Sequence, residues 1–159
     1  MLADIESARS GQIVTPRSFA GLMELYEQNY LRLRRIAPDL DVADEMISIA
    51  PGHLDLYLSV VERCKYTTFL RMTYRFRQGE RMICEPDLHL RIYHDARTAE
   101  AQDRLDRQHH RIRTGQTLQQ KWRLNRFLYK WLGFSLHQGH RFEPIAGLEK
   151  RANKAWQAS

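Results

Sequence analysis

Two cysteines, Cys64 and Cys84, are all the chain has. They are too few for the disulfide framework of a secreted mini-domain, and their separation lacks the clustered spacing of a metal site, so both read as reduced thiols. No stretch approaches the roughly 18 consecutive apolar residues that a membrane-spanning helix needs. The segment Met1–Gln12 carries Asp4, Glu6 and Arg9 and no apolar core of the kind a secretory leader requires, so residues 1–14 read as a flexible tail and a cytoplasmic location is expected. Sequence repeats and low-complexity tracts are missing. So are the glycine patterns Gly-x-x-x-x-Gly-Lys and Gly-x-Gly-x-x-Gly and the Gly-x-Ser-x-Gly elbow, which lowers the expectation of a standard kinase, dehydrogenase or hydrolase.

What is present points to one core. A chain of 159 residues with 43% hydrophobic content can bury one good core and not two. A single domain over 15–139, followed by a tail over 140–159, is the expected organisation. Lys and Arg number 25 against 19 Asp and Glu, a formal charge of +6, which makes polyanions a partner class to consider. The charge is spread along the chain and forms no basic tail.

Periodicity supplies the elements. Phe19, Leu22, Met23, Tyr26, Tyr30 and Leu33 recur at helical spacing after Thr15-Pro16, and Pro38 ends the pattern, which predicts a helix from Thr15 to about Ile36. Alternation over His53–Val61, Tyr66–Phe76 and Asp87–Tyr93, with Glu45–Ala50 before Pro51-Gly52, predicts about four antiparallel strands. Leu88, Leu90 and Ile92 face inward on the last of these, and His89, Arg91 and Tyr93 outward; Arg71, Arg75 and Arg77 face outward on its neighbour. Thr98–Arg113 is nearly all polar and is compatible with a solvated helix, an edge strand or a loop. Gln116–Gln138 reads as a long amphipathic helix. The expected fold is therefore α+β, an antiparallel sheet with N- and C-terminal helices packed on one face.

Several polar residues fall where packing prefers apolar ones. Asn29 lies within the first helix stripe, and Lys121 and Asn125 within the apolar arc of the second, four residues apart on one face. A buried ammonium needs a partner, which Asp95 or Glu62 could supply. His94 holds the inward parity of its strand just beyond Ile92. Read blandly, these groups fasten helix to sheet; read sharply, Lys121, Asn125, His94 and Asp95 form a pocket for a phosphate or carboxylate, with Asn29, Arg91 and Tyr93 nearby. A catalytic version makes His94 a general base oriented by Asp95, with Lys121 stabilising developing negative charge. His109-His110 has no third ligand at a suitable spacing, so no metal is expected, and no cofactor.

Tyr26-Glu27-Gln28-Asn29-Tyr30, Leu33-Arg34-Arg35, Tyr66-Thr67-Thr68, Arg91-Ile92-Tyr93-His94-Asp95-Ala96 and the series Lys121, Asn125, Phe127-Leu128, Trp131-Leu132, Leu136-His137 together resemble the YqiB-like family of uncharacterised bacterial proteins. The resemblance spans roughly Pro16 to Gly139. It departs between Gln102 and Arg113, where the family pattern is more strand-like, and in the tails. It implies a bacterial cytoplasmic protein and carries no established activity. The expected function is a non-enzymatic binding or regulatory module for an anionic, nucleotide-like ligand or a protein partner. The alternatives are a small enzyme acting on a phosphate-containing substrate through a His-Asp-Lys site, and a sequence-independent RNA-binding domain that uses Arg71, Arg75, Arg77, Arg91 and Tyr93.

Overall fold

The computed structural model describes residues 18–102 and 117–146. The expected N-terminal tail, the Thr15-Pro16 cap, His109-His110 and the end of the C-terminal tail lie outside them. Helix α1 (Phe19–Ile36) opens at Ser18, whose hydroxyl accepts from the Gly21 N–H at 2.9 Å and so satisfies one of the free amides of a helix start. It buries Leu22, Leu25, Tyr26, Asn29, Tyr30, Leu33 and Ile36, the stripe that its 3- and 4-residue spacing calls for. Phe19 belongs to the pattern but is 68% exposed, and the burial of the stripe starts at Leu22.

Five strands lie between the helices: β1 (Glu45–Ser48), β2 (Leu56–Arg63), β3 (Thr67–Gln78), β4 (Arg81–Tyr93) and β5 (Thr98–Gln102). After them come α2 (Leu118–His137) and the two-residue β6 (Glu143–Pro144). All strands pair antiparallel in one six-stranded sheet of order β5-β4-β3-β2-β1-β6. The sheet thus has six strands in place of the expected four. Both additions are weak sequence signals: β5 reads Thr-Ala-Glu-Ala-Gln, in which the inward residues are only alanines, and β6 is too short to show a period.

One face of the sheet is the core. Leu56 and Leu58 of β2, Leu70 and Met72 of β3, Leu88, Leu90 and Ile92 of β4, and Ala99 and Ala101 of β5 pack with Leu33 and Ile36 of α1 and Leu128, Trp131 and Leu132 of α2. Each fully buried leucine contributes about 1.5–3 kcal/mol relative to exposure. The domain also runs past residue 139, where the tail was expected to begin. Phe142 is fully buried and its N–H donates to the Ile36 carbonyl at 2.7 Å, which fastens the segment after α2 to the end of α1. No helix among the described residues is long and apolar enough to cross a membrane.

α2 begins with a reciprocal cap. The Thr117 hydroxyl accepts from the Gln120 N–H at 3.2 Å, and the Gln120 side chain accepts from the Thr117 N–H at 2.9 Å.

Candidate functional site

With both helices on one face, strand parity sends a second set of side chains to the other. Register places Phe69 opposite Arg91, Arg71 opposite His89, Thr73 opposite Asp87 and Arg75 opposite Cys84. Tyr57 pairs with Thr73, and Arg91 and Tyr93 pair with Glu100 and Thr98. The step between Thr73 and Arg75 is a bulge on β4, so Arg75 keeps the outward parity of Thr73.

The arginines lie across rings. The Arg75 guanidinium sits 4.3 Å from the centre of the Tyr57 ring, and that of Arg91 sits 4.8 Å from Phe69 and 5.8 Å from Tyr93, within cation–π range. Arg91 donates to the Tyr93 hydroxyl at 2.9 Å, which in turn donates to Glu100 at 3.0 Å. With its amide oxygen turned toward Arg91, Gln102 accepts from two guanidinium nitrogens at 3.1 Å each. Arg71 is held differently, by two 2.8 Å bonds to both oxygens of Asp87. Arg75 and Arg77 form no ion pair among the described residues. Burial raises the Tyr93 phenol above its ordinary range, with the Arg91 hydrogen bond opposing it. Tyr26, raised by burial and by Glu100, reaches the same carboxylate from α1.

The residues singled out in the sequence divide into three groups. Arg91 and Tyr93 come together on the outward face, as above. Asn125 and Asn29 meet on the covered side. Asn125 is fully buried; its side-chain oxygen accepts from the Ala101 N–H at 2.7 Å, and its amide donates to the Lys121 carbonyl at 2.9 Å and the Ala101 carbonyl at 3.4 Å. One carboxamide thus serves both backbone groups of an edge-strand residue, as a neighbouring strand would. Asn29 donates to the Asn125 backbone carbonyl at 3.3 Å, and its own side-chain oxygen is buried without a partner among the described residues.

His94 and Asp95 stand apart from both groups, in the turn between β4 and β5. The His94 N–H donates to the Tyr66 carbonyl at 2.9 Å and its Nε2 lies 2.6 Å from the Thr68 hydroxyl, so the ring fastens the turn to β3. Asp95 is exposed. Lys121 corrects the inward placement read from periodicity: it is exposed, like every residue of the first turn of α2, and it meets Asn125 only through its carbonyl. No hydrogen bond or ion pair among the described residues joins His94 or Asp95 to Lys121 or Asn125.

Glu100 lies in the polar Thr98–Arg113 stretch, whose carboxylates read as a solvated charge face able to pair with arginines of the same segment; it accepts instead from the Tyr93 hydroxyl. Two further polar features have no counterpart in the sequence expectations. Arg32, 4% exposed, stacks on the Tyr129 ring at 3.6 Å and donates to the Tyr129 carbonyl at 2.6 Å, bridging the helices; its place one residue before Leu33 on the stripe was the available signal. Ser48 and His140, both buried, share a 2.8 Å bond, and the Arg141 N–H also donates to Ser48 at 2.8 Å. Burial, reinforced by His53, lowers the His140 pKa. No sequence signal marks that pair. Among the described residues no group of three His, Cys, Asp or Glu is arranged to hold a metal.

The family model described as "Protein of unknown function (DUF1249)" matches residues 32–141. Relatives called "Uncharacterized protein YqiB", from Escherichia coli strains K12, O6:H1 and O157:H7, are each 27% identical over 136 residues, covering 80% of this chain and 94% of theirs. No solved structure matches.

Proposed function

The chain belongs to the DUF1249 family of proteins of unknown function, and on that premise we propose that it is a non-enzymatic module whose outward sheet face binds single-stranded nucleic acid without reading base identity. The observation that carries the reading is the alternation of guanidinium groups and rings across β2, β3 and β4: Arg75 on Tyr57, and Arg91 on Phe69 and Tyr93. A single strand offers phosphates at intervals with a flat base between them. Cations between aromatic platforms suit that repeat, because every base has a π-face and every phosphate a charge. The chain's formal +6 adds a long-range attraction for a polyanion.

The pocket reading built on Lys121, Asn125, His94 and Asp95 has less support. Asn125 spends its side chain on Ala101 and Lys121, and His94 is engaged with Thr68. A general base oriented by Asp95 would need a contact between the two that the hydrogen bonds do not include. A cytoplasmic setting accords with the proposed ligand.

The test is fluorescence anisotropy of a labelled oligouridylate at low salt, with heparin retention as a second readout. Wild type is expected to bind, and the Phe69→Ala, Arg75→Ala double variant to lose about 1–3 kcal/mol for each stacking platform removed. The logarithm of the binding constant should fall with the logarithm of salt by about 0.7 per phosphate neutralised. Absence of binding at low salt, or equal binding by the double variant, would remove the proposal.

A further inference from the structure

The outward sheet face divides into two contact zones. In one, Arg75 lies over the Tyr57 ring, 4.3 Å from its centre. In the other, Arg91 lies 4.8 Å from the centre of Phe69 and 5.8 Å from that of Tyr93. Both guanidiniums have only uncharged partners among the described residues: the ring for Arg75, and for Arg91 the two rings, the Tyr93 hydroxyl at 2.9 Å and the Gln102 amide at 3.1 Å. A ring attracts a cation without neutralising it, so each zone keeps a charge to offer a phosphate beside a flat surface to offer a base.

The row between the zones is built differently. Register sets Ser59, Arg71 and His89 side by side across β2, β3 and β4. Arg71 gives two 2.8 Å bonds to both oxygens of Asp87, so its charge is matched by a carboxylate and its paired donors are engaged. Ser59 donates to Glu45 at 3.0 Å. A strand crossing this row therefore meets no guanidinium without a carboxylate partner. The width of the gap follows from the register: Tyr57 lies opposite Thr73, and Arg91 lies opposite Phe69, four residues along β3. At about 3.4 Å per residue and about 4.8 Å per strand, the zones are about 15 Å apart. A nucleic-acid strand advances about 3.4 Å per nucleotide when stacked as in a duplex and further when stretched, so reaching both zones takes about three to five nucleotides.

We propose that the face is a two-point site that selects single strands of at least about four nucleotides, because shorter ligands reach only one zone at a time. The inference rests on the outward face binding single strands, and it adds the class of ligand: an oligonucleotide and not a free nucleotide. Once one zone is occupied, a ligand long enough to reach the other binds it intramolecularly, at an effective concentration in the millimolar range. The Arg71–Asp87 row is a spacer that the strand crosses, and it sets the length that is selected.

Anisotropy titrations of the full chain with end-labelled uridylates of two, three, four, five and eight nucleotides, at low salt, test the site. Affinity is expected to step up by at least about tenfold between the dinucleotide and the pentanucleotide, and beyond that to rise only slowly as added registers become available. Arg75→Ala and Arg91→Ala, one in each zone and both outside the core, should each erase the step, leaving the pentanucleotide bound no better than the dinucleotide. The two-point site is overturned, with binding on the face left standing, if affinity climbs evenly with every added nucleotide, if the dinucleotide binds as tightly as the pentanucleotide, or if either variant keeps the step. Failure of the octanucleotide to bind wild type at low salt overturns the two-point site and the single-strand reading together.

Discussion

At the scale of single residues, the groups that broke the apolar pattern turn out to do different jobs. Asn125 replaces a missing strand partner, so Asn125→Ala leaves the Ala101 N–H and C=O without their partner in a dry environment. The expected loss is about 1–3 kcal/mol in urea unfolding, with the m-value unchanged. His140 sets a pH dependence. Its folded pKa lies below its ordinary 6.5, so the unfolded chain binds the proton more readily in the window below 6.5. Stability should therefore be full above that window and decline as pH falls through it, and thermal melts of His140→Gln should show a shallower decline between pH 7 and 5. The sequence flagged Asn29 and Asn125 because an amide in a buried stripe needs partners. It could not say which, since the Ala101 partner is 24 residues away in the chain. Lys121 departs from its expected inward place for a physical reason: periodicity assigns a direction, but Leu118, Gln119, Gln120 and Lys121 of the first turn of α2 are all exposed, so the apolar arc there is not a buried one.

At the scale of elements, strands with branched or bulky inward residues were legible, and strands without them were not. Leu88, Leu90 and Ile92 against His89, Arg91 and Tyr93 gave the correct faces of β4, and Leu70 and Met72 against Arg71 and Arg75 those of β3. The outward cations of the proposed site followed from that parity alone. β5 matches the edge-strand reading of the start of Thr98–Arg113, which stood beside a helix and a loop because alanine carries little strand preference. α2 itself was readable, and its start can be tested. Thr117→Ala removes one half of the capping box and should cost about 1 kcal/mol, measured by thermal or urea unfolding; Thr117→Ser should restore most of it.

At the scale of the whole molecule, the helices cover one face of a six-stranded sheet and leave a face of stacked arginines and rings turned outward. The sheet that gives the domain its core also spaces those side chains, because adjacent strands lie about 4.8 Å apart and successive outward residues about 6.6 Å apart along a strand. Binding on that face is a property of the array more than of any one residue. The most direct test of the account is therefore a map of where nucleic acid touches the protein: amide and side-chain NMR shifts of the labelled chain titrated with oligouridylate at low salt. The account predicts that the largest changes fall at Tyr57, Phe69, Arg71, Arg75, His89, Arg91 and Tyr93 and fade together as salt is raised. Changes confined to α1 and α2, with the outward strand positions silent, would contradict it.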